Sequence, residues 1–261
     1  MKPTFYVLAA LSFFSVAGPA AAVGTLADVA IYDRSSGREL SLHTSDGRFF
    51  VAGKPGGEYE IRIRNQTAGD LLAVISVDGV NVISGETASE SQSGYVISAW
   101  RRMEIKGWRK DLSRVAAFYF TDVEDSYAAR TGRPDNVGVI GVALFRRKVA
   151  QPALLDEQRM KRSEASMDSS ANGAAQRGAA EAAPPASAQA PKKSLGTGHG
   201  RSETSQARYT TFERESDQPN ELVAIRYDSY ANLVAQGVIR NVPRQPQPFP
   251  ARFVPDPPAR W

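Results

Sequence analysis

Two Asp-Gly pairs set between apolar runs, Asp46-Gly47 and Asp78-Gly79, constrain this chain more than any other feature of its 261 residues. A two-residue hairpin turn that matches the twist of its strands needs positive φ at both positions. Glycine adopts that conformation freely and Asp tolerably. Residues 41–43 and 49–51 flank the first pair, and residues 72–77 and 80–83 flank the second. Between them Tyr59, Ile61 and Ile63 alternate with Glu60, Arg62 and Arg64, the period of a strand with one wet face. Further strands are expected at residues 95–97, 103–105, 115–120 and 137–145. The last is apolar almost throughout, broken by Gly138 and Gly141, as in a central strand covered on both faces. One short helix is expected at about residues 124–130, capped by Asp122 or Asp125 and ended by Gly132. About nine short strands with hardly a helix predict an all-β domain, a β-sandwich or barrel-like fold, over residues 23–149.

The composition then changes. Residues 152–166 carry helical spacing at Leu154, Leu155, Gln158 and Met160, with acid placed before base, which suits a short exposed helix. Residues 161–200 hold 11 alanines, no aromatic residue, and Leu195 as the sole Val, Ile or Leu. Such a stretch buries too little apolar surface to offset chain ordering, which costs about 1–2 kcal/mol per residue, so residues 150–200 are expected to form a disordered linker. Order is expected to return over residues 201–240 as a small C-terminal β segment, with strands at 209–212, 222–227 and 233–239. Three strands alone are marginal in water, so this segment is expected to dock on the main domain. Residues 241–261 form a proline-rich tail, with seven prolines from residue 243 onward.

Residues 1–22 have the three parts of a secretory signal. Lys2 supplies the positive end, residues 5–16 the apolar stretch, and Ala20-Ala21-Ala22 the small-residue site, with cleavage expected between Ala22 and Val23. A membrane anchor would need about 20 apolar residues, and this stretch breaks at Gly18-Pro19. No later segment is long and apolar enough to span, so the mature chain is expected to be periplasmic or secreted. It has no cysteine, which removes disulfides, thiolate metal sites and cysteine nucleophiles. Its formal charge of +4 becomes +3 once Lys2 leaves, too small a balance to argue for nucleic acid.

Several phrases carry a resemblance. SVDGVNVISGETAS at residues 76–89, IKGWRK at 105–110 and TDVEDSYAARTGRPDNVGVIGVALF at 121–145 resemble a group of uncharacterised secreted proteins of Gram-negative bacteria. LGTGHG at 195–200 and IRYDSYANLVAQGVI at 225–239 are similar to the same group. The resemblance implies a periplasmic or surface location. The group has no known activity, so it transfers no functional residue.

The candidate sites are few. Only His43 and His199 could serve a Ser-His-Asp triad, one on a hairpin arm and the other in a glycine run, and no G-x-S-x-G is present. Two histidines without cysteine make a zinc site improbable. Gly196, Gly198 and Gly200 lack the preceding strand and following Lys-Ser/Thr of a phosphate loop and are expected to be a hinge. Asp122, Glu124, Asp125, Asp135 and Asn136 offer oxygen ligands or an acid-base pair, but capping of a short helix explains the acidic turn without a ligand. No cofactor is expected.

The most suggestive feature is the strip from Arg101 to Arg114, where Arg101, Arg102, Lys106, Arg109, Lys110 and Arg114 stand against only Glu104 and Asp111 and interleave with Trp100 and Trp108; Trp100 to Lys110 is the expected binding face. Indole faces beside cations suit sugar rings, phosphates or peptides. Core tryptophans bordered by a solvated, aggregation-resistant edge would give the same pattern. The expectation is an exported, non-catalytic β module that binds an envelope polymer or a protein partner. A carboxylate-dependent hydrolase of envelope polysaccharide and a structural subunit assembling by strand addition are the alternatives.

Overall fold

The computed structural model describes residues 22–149 and 194–240. Residues 1–21 of the leader, the short helix expected at 152–166, residues 150–193 of the linker and the proline-rich tail lie outside the described residues.

Alternation in the strands sorts the chain into two facing sheets of seven strands each, a β-sandwich. The first holds β1 (Ala27–Asp33), β2 (Arg38–Glu39), β5 (Glu58–Asn65), β9 (Arg102–Ile105), β10 (Gly107–Arg109), β11 (Arg114–Asp122) and β13 (Leu195–Thr204). The second holds β3 (Leu42–Ser45), β4 (Arg48–Gly53), β6 (Leu71–Val77), β7 (Val80–Asn81), β8 (Tyr95–Ile97), β12 (Val139–Arg146) and β14 (Glu221–Ser229). The inward members of β5, Tyr59, Ile61 and Ile63, are fully buried among Val29 and Ile31 of β1, Phe118 and Phe120 of β11, and Ile75, Val142, Leu144 and Ile225 of the facing sheet. Both Asp-Gly pairs turn as expected, with positive φ at Asp46, Gly47, Asp78 and Gly79. β12 sits between β6 and β14 with Leu144 and Phe145 fully buried, the doubly covered strand that its apolar run predicts.

The chain after the linker adds one strand to each sheet. β13 pairs with β11 along Asp122↔Leu195 to Arg114↔Thr204 in the first sheet. β14 enters the middle of the second sheet, antiparallel to β12 and parallel to β4, and inserts Val223, Ile225 and Tyr227 into the core. Residues 195–200 therefore belong to a strand and not to the linker or a hinge. The reason lies in the glycines. A Cβ on Gly198 would stand 2.2 Å from the Tyr119 ring, and one on Gly196 would stand 2.5 Å from Ser126 Cβ. Bare backbone lets Tyr119 lie against β13, so the glycines allow a close approach of the kind that replaces a missing side chain in a strand.

Residues 209–212 form no strand. Residues 233–239, whose apolar run is short enough to read either way, fall across the end of a helix, α2 (Tyr230–Ala235). The expected 124–130 helix splits into a 3-10 turn (Val123–Asp125) and α1 (Tyr127–Arg130). Its cap is Ser126, whose Oγ accepts from Ala129 N at 3.1 Å, and neither Asp122 nor Asp125 caps by its side chain.

Candidate functional site

The strip of residues 100–110 divides in two, because alternation in β9 and β10 sends its members to opposite faces. Trp108 points inward and is 4% exposed. Its indole meets Phe118 edge-on at 5.2 Å and Tyr127 at 4.7 Å, and its Nε1–H donates to Gly198 O at 3.1 Å. Arg109 is half-buried and acts as a brace: its guanidinium donates to Ser205 O at 2.5 Å, Ser205 Oγ at 3.1 Å and Tyr95 OH at 3.1 Å. These two residues are structural, which corrects their place in the expected binding face.

The remaining members stay at the surface. Trp100 is 64% exposed, and Arg101, Arg102 and Lys110 are exposed. Lys106 is half-buried and 3.7 Å from Glu104. Trp100 occupies the third position of a turn closed by Arg101 N donating to Ser98 O, with φ of +60. Left-handed backbone costs a bulky L-residue about 1–2 kcal/mol. The turn is clamped from beneath by the fully buried Asn65. Asn65 Nδ2 donates to Ile97 O at 3.0 Å and Ser98 O at 3.2 Å, and Asn65 N donates to Arg101 O at 2.9 Å. An exposed indole is thus carried on a fixed backbone turn, next in sequence to Arg101 and Arg102, whose guanidiniums make no ion pair among the described residues. Arg64 lies opposite Arg102 and adds a third cation.

Next to this turn, Arg102, Met103, Glu104 and Lys106 line one side of a shallow groove of about 520 Å³, and residues 204–206 line the other. Elsewhere on the outer face of the first sheet several charges are paired. Arg62 holds Glu60 at 2.8 Å, Arg201 holds Glu58 at 2.8 Å, and Arg34 bridges Glu58 and Glu203.

Sequence reasoning missed a strongly perturbed group. Asp78 serves the β6–β7 turn, yet its carboxylate is fully buried between the sheets. Oδ1 accepts from Tyr227 OH at 2.5 Å and Gly138 N at 2.9 Å, and Oδ2 accepts from Thr197 N at 2.7 Å. Thr197 Oγ1 in turn bonds the hydroxyls of Tyr59 and Tyr227, both at 2.7 Å. Burial pushes the Asp78 carboxyl up to about 6, against the lowering effect of its donors. A buried carboxyl beside tyrosines has the composition of an acid-base site, but Asp78 lines neither of the surface depressions described here. It ties β6, β12, β13 and β14 together.

The other candidates fall apart in space. His43 sits on β3 opposite Phe50. His199, on β13, stacks on Tyr127 at 5.7 Å, and burial, with the Lys110 and Arg130 charges, holds its imidazole below the usual value. None of Asp122, Glu124, Asp125 or Asp135 lines either depression. Among the described residues no three His, Asp or Glu side chains converge as metal ligands, and no helix is long and apolar enough to cross a membrane. β13 is an edge of the first sheet, but the N–H groups of Leu195 and Thr197 are taken by Asp228 and Asp78, which blunts that part of the edge. No protein-family model, curated protein or solved structure matches the chain.

Proposed function

We propose that this chain is an exported, non-catalytic β-sandwich module that binds an anionic polymer of the cell envelope at the Trp100 corner. The observation that carries the reading is the exposed indole at positive φ, clamped by Asn65 and flanked by Arg101 and Arg102 without carboxylate partners. A rigid aromatic anchor loses little conformational freedom on binding, and clustered cations keep useful attraction where single charges are screened beyond about 8 Å. The groove running from Arg102 to Lys106 gives a polymer room to extend. Each depression holds one carboxylate, Glu104 in the groove and Asp228 in the other, which favours binding over carboxylate-pair hydrolysis.

The test is retention on immobilised lipopolysaccharide across a salt gradient. Trp100→Ala and the Arg101→Ser/Arg102→Ser pair should each elute at lower salt than wild type, with melting temperatures little changed. Elution of both variants with wild type would overturn the reading. Export is tested separately by mass spectrometry of the periplasmic fraction, where the chain should begin at Val23.

A further inference from the structure

A second depression, of about 280 Å³, lies where β4, β14 and α2 meet the start of β13. Arg226 alternates with the buried Ile225 and Tyr227, so it faces outward, and the parallel register sets it opposite Phe50. Arg48 stands two residues before Phe50 on β4 and shares that face. Both guanidiniums line the depression, and neither has an ion pair or a hydrogen-bond acceptor among the described residues. This contrasts with Arg214 and Arg147 elsewhere on the same sheet. Arg214 donates to Glu90 O at 2.8 Å and Gln92 O at 2.7 Å over the Phe145 ring, and Arg147 donates to Asp70 at 3.2 Å.

Asp228 lies in the same depression and keeps its negative charge, which leaves an excess of one positive charge, but it pairs with neither guanidinium. Its oxygens already accept from Leu195 N, Ser229 N, Asn232 Nδ2 and Gln236 Nε2, all neutral donors. The site therefore presents two guanidiniums with unused donors, a half-buried aromatic ring between strands, and a cavity floor fixed by a satisfied carboxylate. Planar guanidinium forks match the two oxygens of a carboxylate or a phosphate, and the ring gives an apolar body something to rest on. Ligand pockets run from about 300 to 1,000 Å³, so the occupant is small.

We propose that this depression binds a small organic anion through a carboxylate or phosphate group. The proposal does not depend on the polymer-binding face, which lies on the other sheet. It is tested by calorimetric titration of the full chain at fixed ionic strength, with sodium phosphate in one arm and sodium benzoate in the other. Saturable binding is expected in at least one arm: phosphate alone identifies a phosphate site, benzoate alone a carboxylate site. The Arg48→Gln/Arg226→Gln pair should weaken that binding about tenfold or more, which corresponds to about 1.4 kcal/mol or more. Phe50→Ala should weaken benzoate more than phosphate. The Arg101→Ser/Arg102→Ser pair should bind both probes as wild type does. Absence of saturable binding in both arms, or equal binding by wild type and the Arg48/Arg226 variant, would overturn the proposal.

Discussion

Asp78 ties the stability of this fold to pH in a direction opposite to that of ordinary surface carboxylates. Its folded-state value of about 6 lies above the usual 3.8, so folding favours the neutral acid and charging it costs stability. The contribution is fully present below about pH 3.8 and is lost as pH rises through about 6. The gap, at about 1.4 kcal/mol per pH unit, amounts to about 3 kcal/mol in total, of which about 2 kcal/mol falls between pH 4.5 and 7.5. Tyr59 and Tyr227 remain neutral across this range because burial pushes both hydroxyls well above 10. Asp33 and Glu58 are lowered by their hydrogen-bond partners, so their opposite contribution is lost only at more acid pH. The perturbation is Asp78→Asn. Asn tolerates the positive φ and does not titrate, although its amide nitrogen would face the Thr197 N–H or the Gly138 N–H, a mismatch costing about 1–3 kcal/mol. Urea unfolding of both proteins from pH 4.5 to 7.5 isolates the effect as a difference. Wild type should lose about 2 kcal/mol relative to the variant as pH rises. A difference that stays flat, or that grows in favour of wild type, would refute the account of Asp78 as a carboxyl charged at a cost.

The two tryptophans should separate cleanly in thermal or urea unfolding. Trp108→Ala should cost about 3–5 kcal/mol because it empties a core position, whereas Trp100→Gly should stabilise by about 1 kcal/mol because it relieves left-handed backbone. Gly198→Ala should cost about 1–3 kcal/mol through the clash with Tyr119, and the cost should shrink in a Tyr119→Ala background, as a double-mutant cycle by urea unfolding will show. A chain cut once at a protease site engineered between residues 150 and 193 should still elute as one particle on gel filtration, because β13 and β14 are built into both sheets. Separation of the pieces without denaturant would contradict that pairing.

Local chemistry was enough to read the strands and their turns. The Asp46-Gly47 and Asp78-Gly79 hairpins, the alternation in β5 and the doubly buried β12 all rest on rules that act within a few residues. The Trp100–Lys110 strip was also legible as a mixture of indoles and cations, but its division was not. Which tryptophan is core depends on β9 pairing with β5 and β10 with β11, and on Gly198 offering a carbonyl to Trp108 from 90 residues away. Tertiary pairing alone decided that LGTGHG is a strand. Its glycines look like a hinge until the Tyr119 ring is laid against them. The same holds for β14, whose place between β4 and β12 joins residues 221–229 to partners more than 70 residues earlier in the chain. Asp78 shows the limit most sharply. The sequence determined that it turns a hairpin, because φ preference is a property of the residue itself. Only the folded chain, by bringing Tyr59, Gly138, Thr197 and Tyr227 around one carboxyl and removing water from it, decided that the turn residue also holds the two sheets together.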